Sequence, residues 1–297
     1  MADEQNKDVD QVSGVETTGH QWYGIMELNN PLPMWGLYTF YVTIIWTIGF
    51  TIAFPAWPFV EGATKGLLGY TTRGELAESV AEAEAAQAPF KDRIAALPIE
   101  DVADDAELLQ FAQASGASTF RTYCSQCHGS GAAGGIGYPN LNDDDWLWGG
   151  TQDAIDRTIA HGGRQTDEEG YATDDTRDNA MPAYGRDELL EEAEIAAVVE
   201  YVLSLSGQEH DAAQLDTGAV IFEENCAACH GDAGEGIQDL GAPNLADAIW
   251  LYGGDRNAVT YSVVNARAGM MPAWSPRLDD ATVKAVALYV HSLGGGE

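Results

Sequence analysis

The first pattern along the chain is an unbroken apolar block near its start. Trp35 to Phe54 reads WGLYTFYVTIIWTIGFTIAF, and no charged residue stands between Glu27 and Glu61. At about 1.5 Å per residue, such a helix covers the roughly 30 Å hydrocarbon core of a bilayer. Trp35 and Tyr38 lie near one end and Trp57 just beyond the other, where aromatic rings favour the interface. Pro31 and Pro33 precede the block, and Pro55 and Pro58 close it. A buried core helix rarely lacks strongly polar residues on every face, and this block's only polar aliphatic side chains are four threonines. The pattern predicts a transmembrane anchor over residues 35–57 behind an N-terminal segment, 1–34. That segment holds six acids and a single base, Lys7, so a permanent anchor fits better than a cleaved leader.

Beyond the anchor the pattern turns polar and then repeats itself. Glu75 to Gln113 is rich in Ala and Glu, with Pro89 and Pro98 as breaks. It predicts short solvated helices, a spacer over 58–115 with no chemistry of its own. GASTFRTYCSQCHG then begins at Gly116, and GAVIFEENCAACHG at Gly218. Each copy continues through Pro-Asn-Leu (Pro139–Leu141, Pro243–Leu245) to a Trp and a Gly-Gly (Trp146 with Gly149–Gly150, Trp250 with Gly253–Gly254). A Met-Pro follows (Met181–Pro182, Met271–Pro272), then an amphipathic helix ending Tyr-Val-x-Ser-Leu (Tyr201–Leu205, Tyr289–Leu293). This is a tandem duplication of one small helical domain, over 116–207 and 208–297. An acidic insertion around Asp167–Asp178 in the first copy reads as a surface loop.

Composition narrows the field. The chain carries 47 Asp+Glu against 14 Lys+Arg, a net charge of −33. Nucleic acid and anionic lipid headgroups need cations, so a nucleic-acid role is close to excluded and anionic lipid is a poor electrostatic partner. The anchor nevertheless makes the lipid bilayer itself a partner. With 45% hydrophobic residues the chain is not a disordered acidic tail, and four cysteines do not make a disulfide scaffold. The remaining partners are basic or apolar.

All four cysteines fall in two C-x-x-C-H units, Cys124, Cys127, His128 and Cys226, Cys229, His230. The pattern is that of c-type haem attachment. Each thiol adds across a haem vinyl group, and the following histidine is placed to bind the iron. A Cys₄ zinc site would want the pairs about 15–20 residues apart, and a thioredoxin-like pair would want a βαβ pattern; neither is present. Two covalent haem c groups are the expected cofactors. A second axial ligand is then needed in each repeat, and Met181 and Met271 occupy equivalent places, each stiffened by a proline. Met270 competes with Met271, and the repeat alignment favours the latter. His161 has no counterpart in the second repeat and reads as a surface residue or a propionate partner; His210 and His291 read as solvated.

Gly116 and Gly218 precede the first cysteine of each motif by two helical turns, and Phe120 and Phe222 by one, on the same face. The glycine lets a second helix cross closely, and the expected partner is the terminal Tyr-Val-x-Ser-Leu helix of the same repeat. From Gly116 to Gly294 this resembles the class I cytochrome c fold. The fold class expected is all-α, one transmembrane helix followed by two tandem class I cytochrome c domains.

A wider resemblance starts at Thr17–Pro33, TTGHQWYGIMELNNPLP, directly before the single anchor and the two C-x-x-C-H domains. This arrangement is similar to the di-haem subunit III of cbb₃-type cytochrome c oxidases. Tyr23 departs from an Asp common there, and Met34 from a basic residue, which touches local contacts only. The resemblance implies a proton-translocating terminal oxidase, in which this subunit takes electrons from a periplasmic cytochrome c and performs no bond chemistry. The mono-haem subunit II would receive them and the haem–copper subunit I would reduce oxygen, with a small fourth subunit left open. His20 and Trp22 would pack against the catalytic subunit or lipid headgroups. In that family the methionines serve opposite haems, so the resemblance sets crossed ligation beside the local kind. Lys7 against Lys65 and Arg73 is a marginal charge bias toward a cytoplasmic C-terminus. Haem attachment outside the cytoplasm overrides it: the expectation is a single-pass protein of the bacterial inner membrane, N-terminus cytoplasmic, haem domains periplasmic. Two other readings use the same motifs, a di-haem anchor subunit of a dehydrogenase or nitric oxide reductase, and a haem sensor or assembly factor. The pre-anchor string speaks against the first and two six-coordinate irons against the second.

Overall fold

The computed structural model describes residues 8–165 and 172–296, so part of the expected acidic insertion, 167–171, lies outside the described residues. The fold is mostly helical and forms two compact units, one up to Glu84 and one from Ala85 onward.

In the N-terminal unit β1 (Thr17–Trp22) pairs antiparallel with β2 (Ile25–Leu28). The sequence reading foresaw no strand here. The two-residue turn Tyr23-Gly24 has both φ angles positive, at 52° and 90°, the twist that closes a tight hairpin. The anchor follows as α1 (Met34–Ala53), starting directly after Pro33 and ending before Phe54 and Pro55. None of its residues is buried, and its mean hydropathy is 1.5. Its four threonines turn their hydroxyls back onto carbonyls of the preceding turn, as Thr39 does to Trp35 at 2.9 Å and Thr47 to Thr43 at 2.7 Å. No hydroxyl among them is left unpaired on the apolar surface. After the short hairpin of β3 (Pro58–Phe59) and β4 (Gly62–Ala63) the chain folds back on the helix end. Leu67 and Leu68 donate their amides to Ile52 and Ala53 at 3.0 Å, supplying partners for carbonyls that every helix terminus leaves over.

The second unit has two lobes, and the spacer belongs partly to the first. Pro89 does not break α2 (Thr72–Ala96), which runs through it. The end of α2, with α3 (Ile99–Asp104) and α4 (Ala106–Thr119), buries Ile94, Ile99, Val102, Leu108 and Ala112. These join a core with Phe120, Ile155, Ile159 and the inner face of α11 (Asp280–His291). Lys284 of α11 fastens the arrangement by donating to the carbonyls of Ile94, Ala95 and Leu97 at 3.4, 3.2 and 2.8 Å, where the carbonyl ends of α2 attract a cation. A π-helical turn, Phe120–Cys124, leads from α4 into α5 (Ser125–His128), and α6 (Gln152–His161) completes the first lobe. The second lobe packs α7 (Glu192–Leu205) on α8 (Leu215–Asn225), with α9 (Ala227–His230) and α10 (Arg256–Asn265).

The crossing of helices therefore differs from expectation. Gly116 of α4 meets α11, the terminal helix of the other repeat: a Cβ there would strike the Ala285 carbonyl and lie 2.8 Å from Tyr289 Cβ. Gly218 of α8 meets α7 of the first repeat, at the Ala197 carbonyl and 2.8 Å from Tyr201 Cβ. The glycines do what the pattern requires, yet each repeat lends its last helix to its neighbour. The repeats 116–207 and 208–297 are units of sequence, and the lobes cut across them. Glu200 of α7 is tied to Arg256 of α10 by two hydrogen bonds, 2.6 and 2.9 Å, which joins the two repeats inside one lobe. The Arg256 guanidinium holds the Glu200 carboxyl below its ordinary pKa.

Candidate functional site

Each C-x-x-C-H unit is a single helical turn. α5 and α9 follow Cys124 and Cys226 directly, so both thiols of a unit and its histidine project from one short turn. Cys127 and Cys229 are exposed, while Cys124 and Cys226 are half-buried against their lobes' cores. Burial pushes the Cys124 and Cys226 thiols up to about 11, with the neighbouring cysteine adding to it. Redox-active pairs have depressed thiols, so the environment is the opposite of theirs.

The histidines are oriented from the far side of the loop. His128 Nδ1 lies 3.2 Å from the Pro139 carbonyl and His230 Nδ1 3.0 Å from that of Pro243. A carbonyl only accepts, so Nδ1 carries the proton and Nε2 keeps its lone pair for a metal. Burial lowers both imidazole pKa values, which also favours the neutral ligand form. The sequence reading singled out Pro-Asn-Leu as a repeated landmark without a role. Its proline carbonyl holds the ligand, and its leucine, Leu141 or Leu245, packs into the lobe core.

Opposite each motif lies a methionine loop from the other repeat. Met271 packs into the first core with Phe120, Cys124, Leu141 and Trp146. Its amide and carbonyl exchange hydrogen bonds with Gly163, both at 2.9 Å, and Trp274 donates to Ile159 at 3.1 Å. Gln165, buried, accepts from the Ala273 amide at 2.6 Å. In the second lobe Met181 packs with Cys226, Phe222, Leu245 and Trp250. Tyr184 donates its amide to Val263 at 3.0 Å and its hydroxyl to the carbonyl of Asn225, next to Cys226, at 2.6 Å. Met270 is 50% exposed beside half-buried Met271, so the sulfur facing the core is that of Met271.

The remaining polar residues separate. His161 is half-buried, with Nδ1 2.9 Å from Thr173 Oγ1, and is not a surface residue. His210, expected to be solvated, is part-buried with Nδ1 2.8 Å from the Gln208 carbonyl. The described end of the insertion, Thr173 to Arg177, docks on α6 through a hydrogen bond of Thr176 to the His161 carbonyl at 2.8 Å. It is not a free loop. The two cysteine pairs sit in different lobes, and among the described residues no three His, Cys, Asp or Glu side chains converge as a metal site would need.

Two helical lobes, each setting a C-x-x-C-H turn against a methionine loop, place this chain in the class of tandem c-type cytochromes. Comparison with known proteins narrows the class. The model of the N-terminal domain of cytochrome oxidase-cbb3, FixP, matches residues 14–61. That of cytochrome c oxidase, cbb3-type, subunit III, matches 111–202 and 213–290. The chain is 53% identical over 281 residues to a cbb3-type cytochrome c oxidase subunit CcoP of Cereibacter sphaeroides, covering 95% of each. It is 51% identical to subunit FixP of Sinorhizobium medicae over 298 residues, covering all of both chains, and as close to that of Rhizobium meliloti. The chain belongs to the subunit III family of cbb₃-type cytochrome c oxidases, electron-transfer subunits of a terminal oxidase. Membership implies haem c, partner oxidase subunits and attachment to a membrane.

Proposed function

We propose that the chain binds two covalent haem c groups, one per lobe, and passes electrons from a periplasmic donor cytochrome c toward the oxygen-reducing subunit. Cys124, Cys127 and His128 hold one haem with Met271 as sixth ligand; Cys226, Cys229 and His230 hold the other with Met181. The observation that carries this reading is the crossed packing, which brings each methionine loop against the other repeat's cysteine–histidine turn. When bound, the haem irons supply one-electron chemistry by cycling between ferric and ferrous. The chain's own residues fix the imidazoles through Pro139 and Pro243 and present the thioethers, which favour the ferrous state. No proton has to move at either site. Electrons leave for a mono-haem subunit II and then the haem–copper subunit I. The haem lobes lie in the periplasm and the N-terminus in the cytoplasm, since haem is attached outside the cytoplasm.

Changing Cys226 and Cys229 to Ala should remove one of two covalent haems, counted by peroxidase stain on a denaturing gel or by mass. A double variant that still carries two haems defeats the motif reading. The acidity of the periplasmic part serves a basic donor by steering, which accelerates association and fades as salt screens it. Oxidation of a basic cytochrome c by the assembled oxidase should slow markedly between low and physiological salt, where the screening length is about 8 Å. A neutral small-molecule donor should barely respond. Equal responses would assign the acidity to solubility alone.

A further inference from the structure

One side chain ties together the loops of the second lobe's site, and its backbone neighbour pairs with the methionine of the first. Arg164 follows Gly163, the residue whose backbone exchanges two hydrogen bonds with Met271. Its guanidinium turns the other way. Nη2 donates to the Gly241 carbonyl at 3.0 Å, on the hairpin that ends at Pro243, the partner of His230. Nε donates to the Asn179 carbonyl at 2.8 Å, two residues before Met181. The same two loops are also joined to each other, Asn179 Nδ2 donating to Leu240 at 2.6 Å.

Two further observations single the residue out. Arg164 has φ +58°, a left-handed conformation that costs a non-glycine residue about 1 kcal/mol or more and is retained where the side chain matters. Arg164 also stacks on Trp148, 5.3 Å from the ring centroid, with Arg177 at 5.0 Å on the same ring. The second repeat sets Arg267 over Tyr252, the counterpart of Trp148, so the duplication shares the stacking, and the hydrogen bonds to Gly241 and Asn179 are what Arg164 adds. Trp148 in turn lies against Gly241, where any Cβ would strike its ring. Both guanidiniums are half-buried, and neither has a carboxylate within 4 Å among the described residues, although Asp153 and Asp239 act on Arg177 from further off. A half-buried cation calls for an anion, and the carboxylates of a bound haem are of the matching chemistry.

We infer that Arg164 couples the two haem sites, fixing the Met181 loop and the His230 hairpin to the segment whose backbone pairs with Met271 and lending positive charge to both sites. The inference rests on the two-haem reading above. A fixed cation beside a bound haem would oppose its ferric state and so raise its potential. Arg164 acts as a positioning residue, and its effect is read in potentials rather than turnover.

The test is spectroelectrochemical titration of the full chain in detergent. A wild-type chain lacking two covalent haems would defeat the haem reading before any variant is made. With two haems in place, Arg164→Gln should move both redox steps to lower potential with haem content unchanged. Arg164→Lys keeps the charge but loses the planar fork, and should give a smaller shift of both. If the Gln variant fails to retain haem, the Lys variant carries the test alone. Arg186→Gln removes the same charge from an exposed site and should leave both steps in place. Either step staying put when Arg164 is changed, or an equal shift in Arg186→Gln, overturns the coupling.

Discussion

On the crossed ligation proposed above, replacing Met271 by Leu should strip the sixth ligand from a haem on Cys124 and Cys127, and leave one on Cys226 and Cys229 untouched. The two cases separate cleanly in chains that carry one haem each. In a Cys226→Ala, Cys229→Ala background only the first haem remains. There Met271→Leu should give a five-coordinate or misligated iron with a lowered potential, because the thioether that favours ferrous iron is gone. Met181→Leu in the same background should change neither spectrum nor potential. With Cys124 and Cys127 replaced instead, the roles reverse. Local ligation predicts the opposite pattern in both backgrounds, so one set of absorption spectra decides. Met270→Leu should be silent in either, since that side chain is half exposed and outside both cores.

Gly116→Val should be among the most destabilising single changes in the haem-bearing unit. The added Cβ meets the Ala285 carbonyl, which is helix backbone and cannot turn aside. Forcing α4 from α11 costs about 3 kcal/mol by the usual scale of overpacking. It also loosens the face on which Phe120 and Tyr289 pack, with ring centroids 5.5 Å apart. Gly218→Val should do the same to the second lobe, where Tyr201 and Phe222 stand 5.3 Å apart. Gly131 faces open space, and Gly131→Ala should stay within about 0.5 kcal/mol. Thermal unfolding of the three variants side by side checks the order. A Gly116→Val chain as stable as wild type would mean that the helices do not cross at this point.

The anchor was legible in outline, because a bilayer imposes one composition and one length: the expected 35–57 is a helix over Met34–Ala53, one residue early at its start and four short at its end. The C-x-x-C-H turns and the methionine loops were legible because the duplication prints each twice. The exchange of helices was not, since both repeats carry the same Gly face and the same Tyr-Val helix, and the pattern is satisfied by either pairing. A weaker signal was present. Only a short connection, 206–214, separates α7 from α8, and short links make sequential helices antiparallel neighbours. That places α7 on the second repeat's first helix and leaves α4 to α11. The spacer was misread for a related reason. Its few apolar residues, Ile94, Ile99, Val102 and Leu108, look isolated among Ala and Glu until α11 arrives to cover them. The contacts of Arg164 could not be seen in sequence, because its partners are backbone carbonyls 15 and 77 residues along the chain.

The lending of the last helix has a consequence for how the protein comes into being. A ribosome delivers residues in order, and the first lobe holds Cys124 and His128 at its near end but Met271 and α11 at its far end. The second lobe, whose pieces run from Met181 to Asn265, is complete while the chain is still growing. So the cysteine–histidine turn nearest the anchor in sequence is the last to be enclosed, and its cysteines wait on an open face until α11 emerges. The first lobe is therefore not finished until Met271 and α11 have been made.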